Sequence, residues 1–225
     1  MRFVFCLFMA CVIFVAQPAF AAVIVATFVG KIAAGTDGAG IFGAAGANLD
    51  NEDFTAVYTA DNGISGLTTT SDLGSTIISG PGFIKSVLTI KGISYTFLGT
   101  STSTFEKLNG VSNPGFSSVV LDKISFSTSS PGASIFNFFE NGGINFIDNT
   151  TFDAPLFYSG GLRFGNFSIA GPGGGTDGSI TPDSVTIMAT SAVPEPATWL
   201  FMMSGFGLAG MHIRARRRNV KISQC

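Results

Sequence analysis

From Ala22 to Ala189 almost no segment repeats its apolar residues with a helical period. They come instead as short β-forming runs separated by Gly, Ser, Thr, Asn and Pro. A soluble helix needs an apolar stripe recurring about every 3.6 residues, so a chain of this kind has to build its core from strands. Val23 to Val29 is the first run. Phe54, Ala56 and Tyr58 alternate with Thr55, Val57 and Thr59, and Ser86 to Leu98 reads as two strands divided near Gly92, with a bend at Gly92-Ile93. In Val119 to Ser127, Ile124 and Phe126 face one way while Lys123, Ser125 and Ser127 face the other. Ser134 to Phe139 and Ile144 to Ile147 flank Asn141-Gly142-Gly143, a spacing that predicts a hairpin because Asn and Gly accept positive φ. Leu162 and Phe164 alternate about Arg163, Phe167 and Ile169 continue that strand past Gly165-Asn166, and Val185 and Ile187 alternate within Ser184 to Met188. Roughly eight to eleven short strands with glycine-rich turns predict an all-β fold, a jelly-roll-like β-sandwich. A right-handed β-solenoid is the alternative, although no fixed repeat period supports it.

The 168 residues from Ala22 to Ala189 contain no cysteine and no histidine. Disulfide staples, Cys or His zinc sites, thiol catalysis and histidine-dependent triads are therefore excluded there. Charge is divided along the chain: this stretch has 13 Asp or Glu against 6 Lys or Arg, a net of -7, whereas Arg214 to Lys221 carries +5. An acidic domain cannot neutralise phosphates, so nucleic acid is not an expected partner.

Both ends read as targeting segments. Arg2 precedes the apolar run Phe3 to Val15, and Ala19, Phe20 and Ala21 supply the small-x-small pattern of a signal peptidase site, which places cleavage after Ala21 and makes residues 1–21 a signal peptide. Cys6 and Cys11 leave with it. At the other end, residues 190–196 are a linker. There Pro194 and Pro196 fix φ and keep the chain extended around Glu195. Residues 197–213 are apolar, and as a helix they would span about 25 Å, enough for a thin bilayer. Trp199 stands at the headgroup end of this single transmembrane helix. Gly205, Gly207 and Gly210 suit close helix contacts, and the basic tail of residues 214–225 gives a positive-inside stop.

The ordered combination Pro194-Glu195-Pro196, Trp199, the glycine-containing apolar segment with Gly205 and Gly207, and the cluster Arg214, Arg216, Arg217 and Arg218 resembles the PEP-CTERM sorting signal in its Pro-Glu-Pro-x-x-Trp form. The resemblance covers the stretch from Val193 to Arg218. It implies a Gram-negative host, export by the general secretion machinery, and capture by a multi-pass exosortase. Cleavage near the Pro-Glu-Pro element and a setting of exopolysaccharide and biofilm are also implied. Two features depart from the family pattern: Leu200 follows the tryptophan where alanine is usual, and Asn219 to Cys225 extend beyond the arginines.

Inside the exported domain the candidate chemistry is sparse. Asp50, Glu52 and Asp53 cluster after Asn48, and Asp177 sits in the glycine-rich run Gly171 to Gly178. These acids are the candidate Ca²⁺ ligands, set against a solvated acidic loop and a flexible turn respectively. Asn149 and Asn166 each begin a glycosylation acceptor triplet. A glycosidase needs two carboxylates facing each other across a sugar, and no pair stands out, so no catalytic residue is assigned. The expected role is a noncatalytic envelope or matrix protein that contacts exopolysaccharide or other envelope proteins. A polysaccharide-active enzyme and a calcium-dependent carbohydrate-binding module are the alternatives.

Overall fold

The computed structural model describes residues 23–72, 74–112, 120–142 and 145–190, together with Ser204 and Phe206. The chain divides into a unit Ala22–Ser191 and a second made of Met1–Ala21 and Ala192–Cys225. In the second unit the described residues are Ser204 and Phe206, both with helical backbone and exposed side chains. The predicted signal peptide with Ala19 and Ala21, the 197–213 transmembrane segment apart from those two residues, and the basic tail lie outside the described residues. Among the described residues no helix is long and apolar enough to cross a membrane.

Unit Ala22–Ser191 is all-β, as its periodicity predicts. In chain order the strands are β1 (Val23–Asp37), β2 (Ala47–Asn48), β3 (Asp53–Asp61), β4 (Thr68–Asp72), β5 (Ser75–Gly80), β6 (Ile84–Ile90) and β7 (Ile93–Phe97). They continue with β8 (Thr102–Ser112), β9 (Val120–Ser130), β10 (Ala133–Gly142), β11 (Leu156–Tyr158), β12 (Leu162–Gly171) and β13 (Gly174–Thr190). They form one antiparallel sheet in the order β4-β5-β8-β9-β10-β12-β13-β1-β3-β6-β7, with β11 on β13 and β2 on β1. The first and last strands of the unit pair along their lengths, from Val23 opposite Thr190 to Asp37 opposite Thr176. A sheet with one apolar face has to cover it, and this one does so by curling until β6 and β7 lie against β9 and β10.

Period-two alternation sets what meets inside the curl. Ile24, Ala26, Phe28, Gly30 and Ile32 of β1, and Phe54, Ala56, Tyr58 and Ala60 of β3, are buried, while the residues alternating with them are not. Phe28 stacks on Phe139 and meets Phe126 edge-on, at centroid distances of 5.9 and 5.8 Å, and Tyr58 lies 5.2 Å from Phe126. Polar contacts also cross the core. Asn137 Nδ2 donates to the Tyr58 hydroxyl at 2.6 Å, and the hydroxyls of Ser86 and Thr128 share a hydrogen bond. Burial pushes the Tyr58 phenol pKa upward, with the bond from Asn137 opposing it, so the group stays a neutral hydroxyl.

Several local expectations are corrected. The hairpin expected from Ser134 to Ile147 does not form: β10 runs on through Asn141, pairing with β9 on one side and β12 on the other, so its edges are filled. Ile147 has no strand partner and is buried in a loop. The bend near Gly92 is a two-residue turn one position earlier, with Lys91 and Gly92 both at positive φ. Gly174 to Gly178, expected as part of a flexible turn, is strand, paired throughout with β12 and from Thr176 also with β1, and the turn shrinks to Pro172-Gly173. Gly30 marks a bulge in β1. A Cβ there would stand 2.2 Å from the Thr181 carbonyl oxygen, so only glycine allows the two long strands to meet at this point.

Candidate functional site

The buried charges of the unit hold loops. Asp122 on β9 is 2 % exposed; its Oδ1 accepts the Gly110 N–H at 2.9 Å, and its Oδ2 accepts those of Phe146 and Ile147 at 2.6 and 2.9 Å. One carboxylate thereby satisfies three backbone donors and fixes the start of the loop that follows β10. Farther along that loop, Lys107 of β8, 1 % exposed, donates from Nζ to the carbonyls of Thr151 and Ala154 at 3.5 and 3.3 Å. An acid and a base thus clamp the two ends of one segment, whose Phe152 ring packs on Phe83 and Phe105. Asp37 does the same for the loop after β1: its carboxylate accepts from the Ile41 and Phe42 N–H groups and the Thr176 hydroxyl, each at 2.7 Å. Burial alone would raise the Asp37 pKa, but bonds from Thr176, Ile41 and Phe42 outweigh it and hold the carboxyl below its usual range. The loop support from Asp37 is therefore complete above the ordinary carboxyl pKa and is lost as pH falls through the depressed one.

Burial lowers the Lys107 pKa to about 8, against the opposing charge of Asp153. Between pH of about 8 and its ordinary value near 10.5 the folded protein has released this proton and the unfolded chain has not, so the group's contribution to stability rises with pH, by at most about 3 kcal/mol. Lys107→Met is expected to remove that rise. Urea unfolding of both proteins at pH 7 and pH 10 measures it as the change in their stability difference.

The acids named from sequence as candidate calcium ligands have partners within the protein. Asp50 accepts the Gly35 N–H and the Asn48 amide, Glu52 pairs with Lys91 at 2.9 Å, and Asp53 pairs with Lys31 at 2.7 Å. Among the described residues no group of three or more His, Cys, Asp or Glu side chains converges. Asp177 is brought to a different place. It lies exposed on β13, opposite Thr36 of β1 and Ser168 of β12, in a groove of about 560 Å³ on the outer face of the sheet. Ser134 of β10, Asn166 to Ser168 of β12, Gly178 and Ser179 of β13, and Ala34 to Thr36 of β1 complete its lining. Beside it on the same face, Phe136 stands opposite Asn166 and Phe138 opposite Phe164. The ring centroids are 5.6 Å apart for Phe136 and Phe138, and 6.2 Å apart for Phe138 and Phe164.

A second cavity of about 660 Å³ lies against the inner face of the β4–β5 hairpin, between Asn62 to Leu67 and Thr150 to Phe152. Of the outer groove, only Asp177 was expected from sequence as a ligand. Its other residues come from four strands, and hydroxyl and amide side chains spaced along separate strands carry no linear signal. Asn166 stands out in the sequence only as an acceptor triplet, and it proves to be an exposed groove residue.

The exported class of protein rests on a separate, linear feature. Residues 192–218 match the PEP-CTERM protein-sorting motif, so the chain carries the signal of an exosortase-targeted protein exported toward the cell surface of a Gram-negative bacterium. The residues that carry it, Pro194, Glu195, Pro196, Trp199, Gly205, Gly207, Arg214, Arg216, Arg217 and Arg218, lie outside the described residues. Comparison with curated proteins and with solved structures finds no match.

Proposed function

We propose that the protein is a noncatalytic component of the envelope or extracellular matrix, associated there with exopolysaccharide. In this reading signal peptidase removes residues 1–21, the 197–213 segment holds the protein transiently in the inner membrane, and exosortase cuts near Pro194-Glu195-Pro196. The curled sheet, read as a jelly-roll-like sandwich, is the part that works outside. The observation that carries the reading is the sorting motif placed directly after an all-β unit in which several acids hold loops or pair with cations. Asp37 and Asp122 hold loops, and Glu52, Asp53, Glu106 and Asp183 are ion-paired. Among the residues lining the outer groove Asp177 is the single carboxylate, whereas glycoside hydrolysis needs two.

The test is a combined binding and hydrolysis screen of the surface-released protein against polysaccharides. Retention on at least one polymer with no new reducing ends is expected. Release of reducing ends would replace this reading with a polysaccharide-active enzyme.

A further inference from the structure

We propose that the outer groove is a binding site for a linear polysaccharide without negative charge, lying along the Phe136, Phe138 and Phe164 ridge and entering the groove at Asn166. The inference rests on the exopolysaccharide reading above and adds to it a location and a ligand class.

Three observations carry it. First, the ridge is aromatic and open: Phe164 is 41 % exposed, and the three rings follow one another on a single face. Sugar rings present C–H faces that pack on aromatic side chains, and the two rings along β10 with the third across on β12 make a patch that continues through Asn166 into the groove. Second, the ridge leads into hydroxyl, amide and carboxylate groups, because Asn166 is both the cross-strand neighbour of Phe136 and part of the groove wall. Sugar hydroxyls donate and accept, and Asn166, Ser134, Ser168 and Ser179 can answer both, while Asp177 accepts. The volume of about 560 Å³ lies within the range of small-molecule sites, so the groove holds a short stretch of chain and leaves the rest outside.

Third, electrostatics decides the class. Lys31, Lys91, Lys123 and Arg163 are each paired with a carboxylate, Lys107 is buried, Lys85 is exposed on β6 away from the groove lining, and no cation lines the groove. A uronate or sulfated polymer would meet Asp177 in the groove and the net charge of -7 carried by residues 22–189. A neutral polymer meets neither obstacle.

The experiment uses the mature protein and the matrix polysaccharide of the producing bacterium, separated by anion exchange into neutral and acidic fractions. Affinity electrophoresis reads binding. The neutral fraction is expected to retard the protein and the acidic fraction to leave it unchanged. Phe164→Ala and Ser168→Trp, both at exposed outer positions, should each weaken retardation at least tenfold, the first by removing a stacking ring and the second by filling the groove. Circular dichroism checks that both remain folded. Undiminished binding in both variants would overturn the site while leaving the exopolysaccharide reading in place. Preferential binding of the acidic fraction would overturn the ligand class. Binding of neither fraction, or a dimer in sedimentation that Phe164→Ala dissolves, would overturn the inference, and the former would remove the broader reading with it.

Discussion

Replacing Asp122 by alanine is expected to cost about 3 to 5 kcal/mol of stability, enough to leave the β unit marginal. The change strips three backbone N–H groups, those of Gly110, Phe146 and Ile147, of their acceptor. A buried donor left unpaired costs about 1 to 3 kcal/mol; Ile147 is the buried one, and water reaching the exposed Gly110 and half-buried Phe146 would relieve part of the loss there. Asp122→Asn keeps one acceptor oxygen and loses the charge, so it should fall between the two. The Gly110 bond and the Phe146–Ile147 pair use different oxygens, and one amide oxygen cannot serve both. Urea unfolding followed by circular dichroism gives the total. Hydrogen exchange separates the cause: the Phe146 and Ile147 amides should lose protection before the paired amides of β1 and β13. An alanine variant as stable as the parent would show that the loop after β10 is held by its apolar contacts alone.

Glu195→Ala is expected to block processing and leave the exported protein in the inner membrane, heavier than the surface form by the peptide that follows the cut. Deletion of residues 197–218 should fail differently. Without the apolar stretch and the arginines the chain has no stop, passes wholly across the membrane and is never presented to the protease. Surface-anchored or exosortase-processed product should drop more than tenfold in both, with the first pool membrane-bound and the second soluble. The difference follows from the division of labour proposed for the motif at residues 192–218: proline favours extended chain on either side of Glu195, whereas the apolar segment and arginines behind it would set depth and orientation. Fractionation and immunoblotting of the two strains check it. Equal processing of Glu195→Ala and the parent would remove Glu195 from the recognition element.

What could be read in the sequence divides along a physical line. Phe54, Ala56 and Tyr58 announce β3 because their alternation is local and one face is buried. The strands β4, β5 and β8 were not expected, since Thr68 to Asp72 and Thr102 to Thr104 are polar and become strand only through their neighbours in the sheet. The glycines of Gly174 to Gly178 read as turn, yet they are strand because β12 supplies partners for the whole run and β1 joins on the other side from Thr176 onward. Site residues follow the same rule. The importance of Asp122 depends on donors 12, 24 and 25 positions away, and the outer groove is assembled from β10, β12, β13 and β1. Asp50, Glu52 and Asp53, close in sequence, face separate partners, and those partners are not legible from adjacency along the chain. The sorting signal was legible because a membrane protease meets it as one continuous segment, and its information is therefore linear.

Delivery by the tail, leaving the curled β unit as the working protein, is the central claim, and the mass of the mature C-terminus tests it most directly. The form released from the surface of the native host should begin at Ala22 and end close to Pro194-Glu195-Pro196, without Trp199 or the arginine cluster. A surface form whose mass includes an intact Cys225 would contradict it.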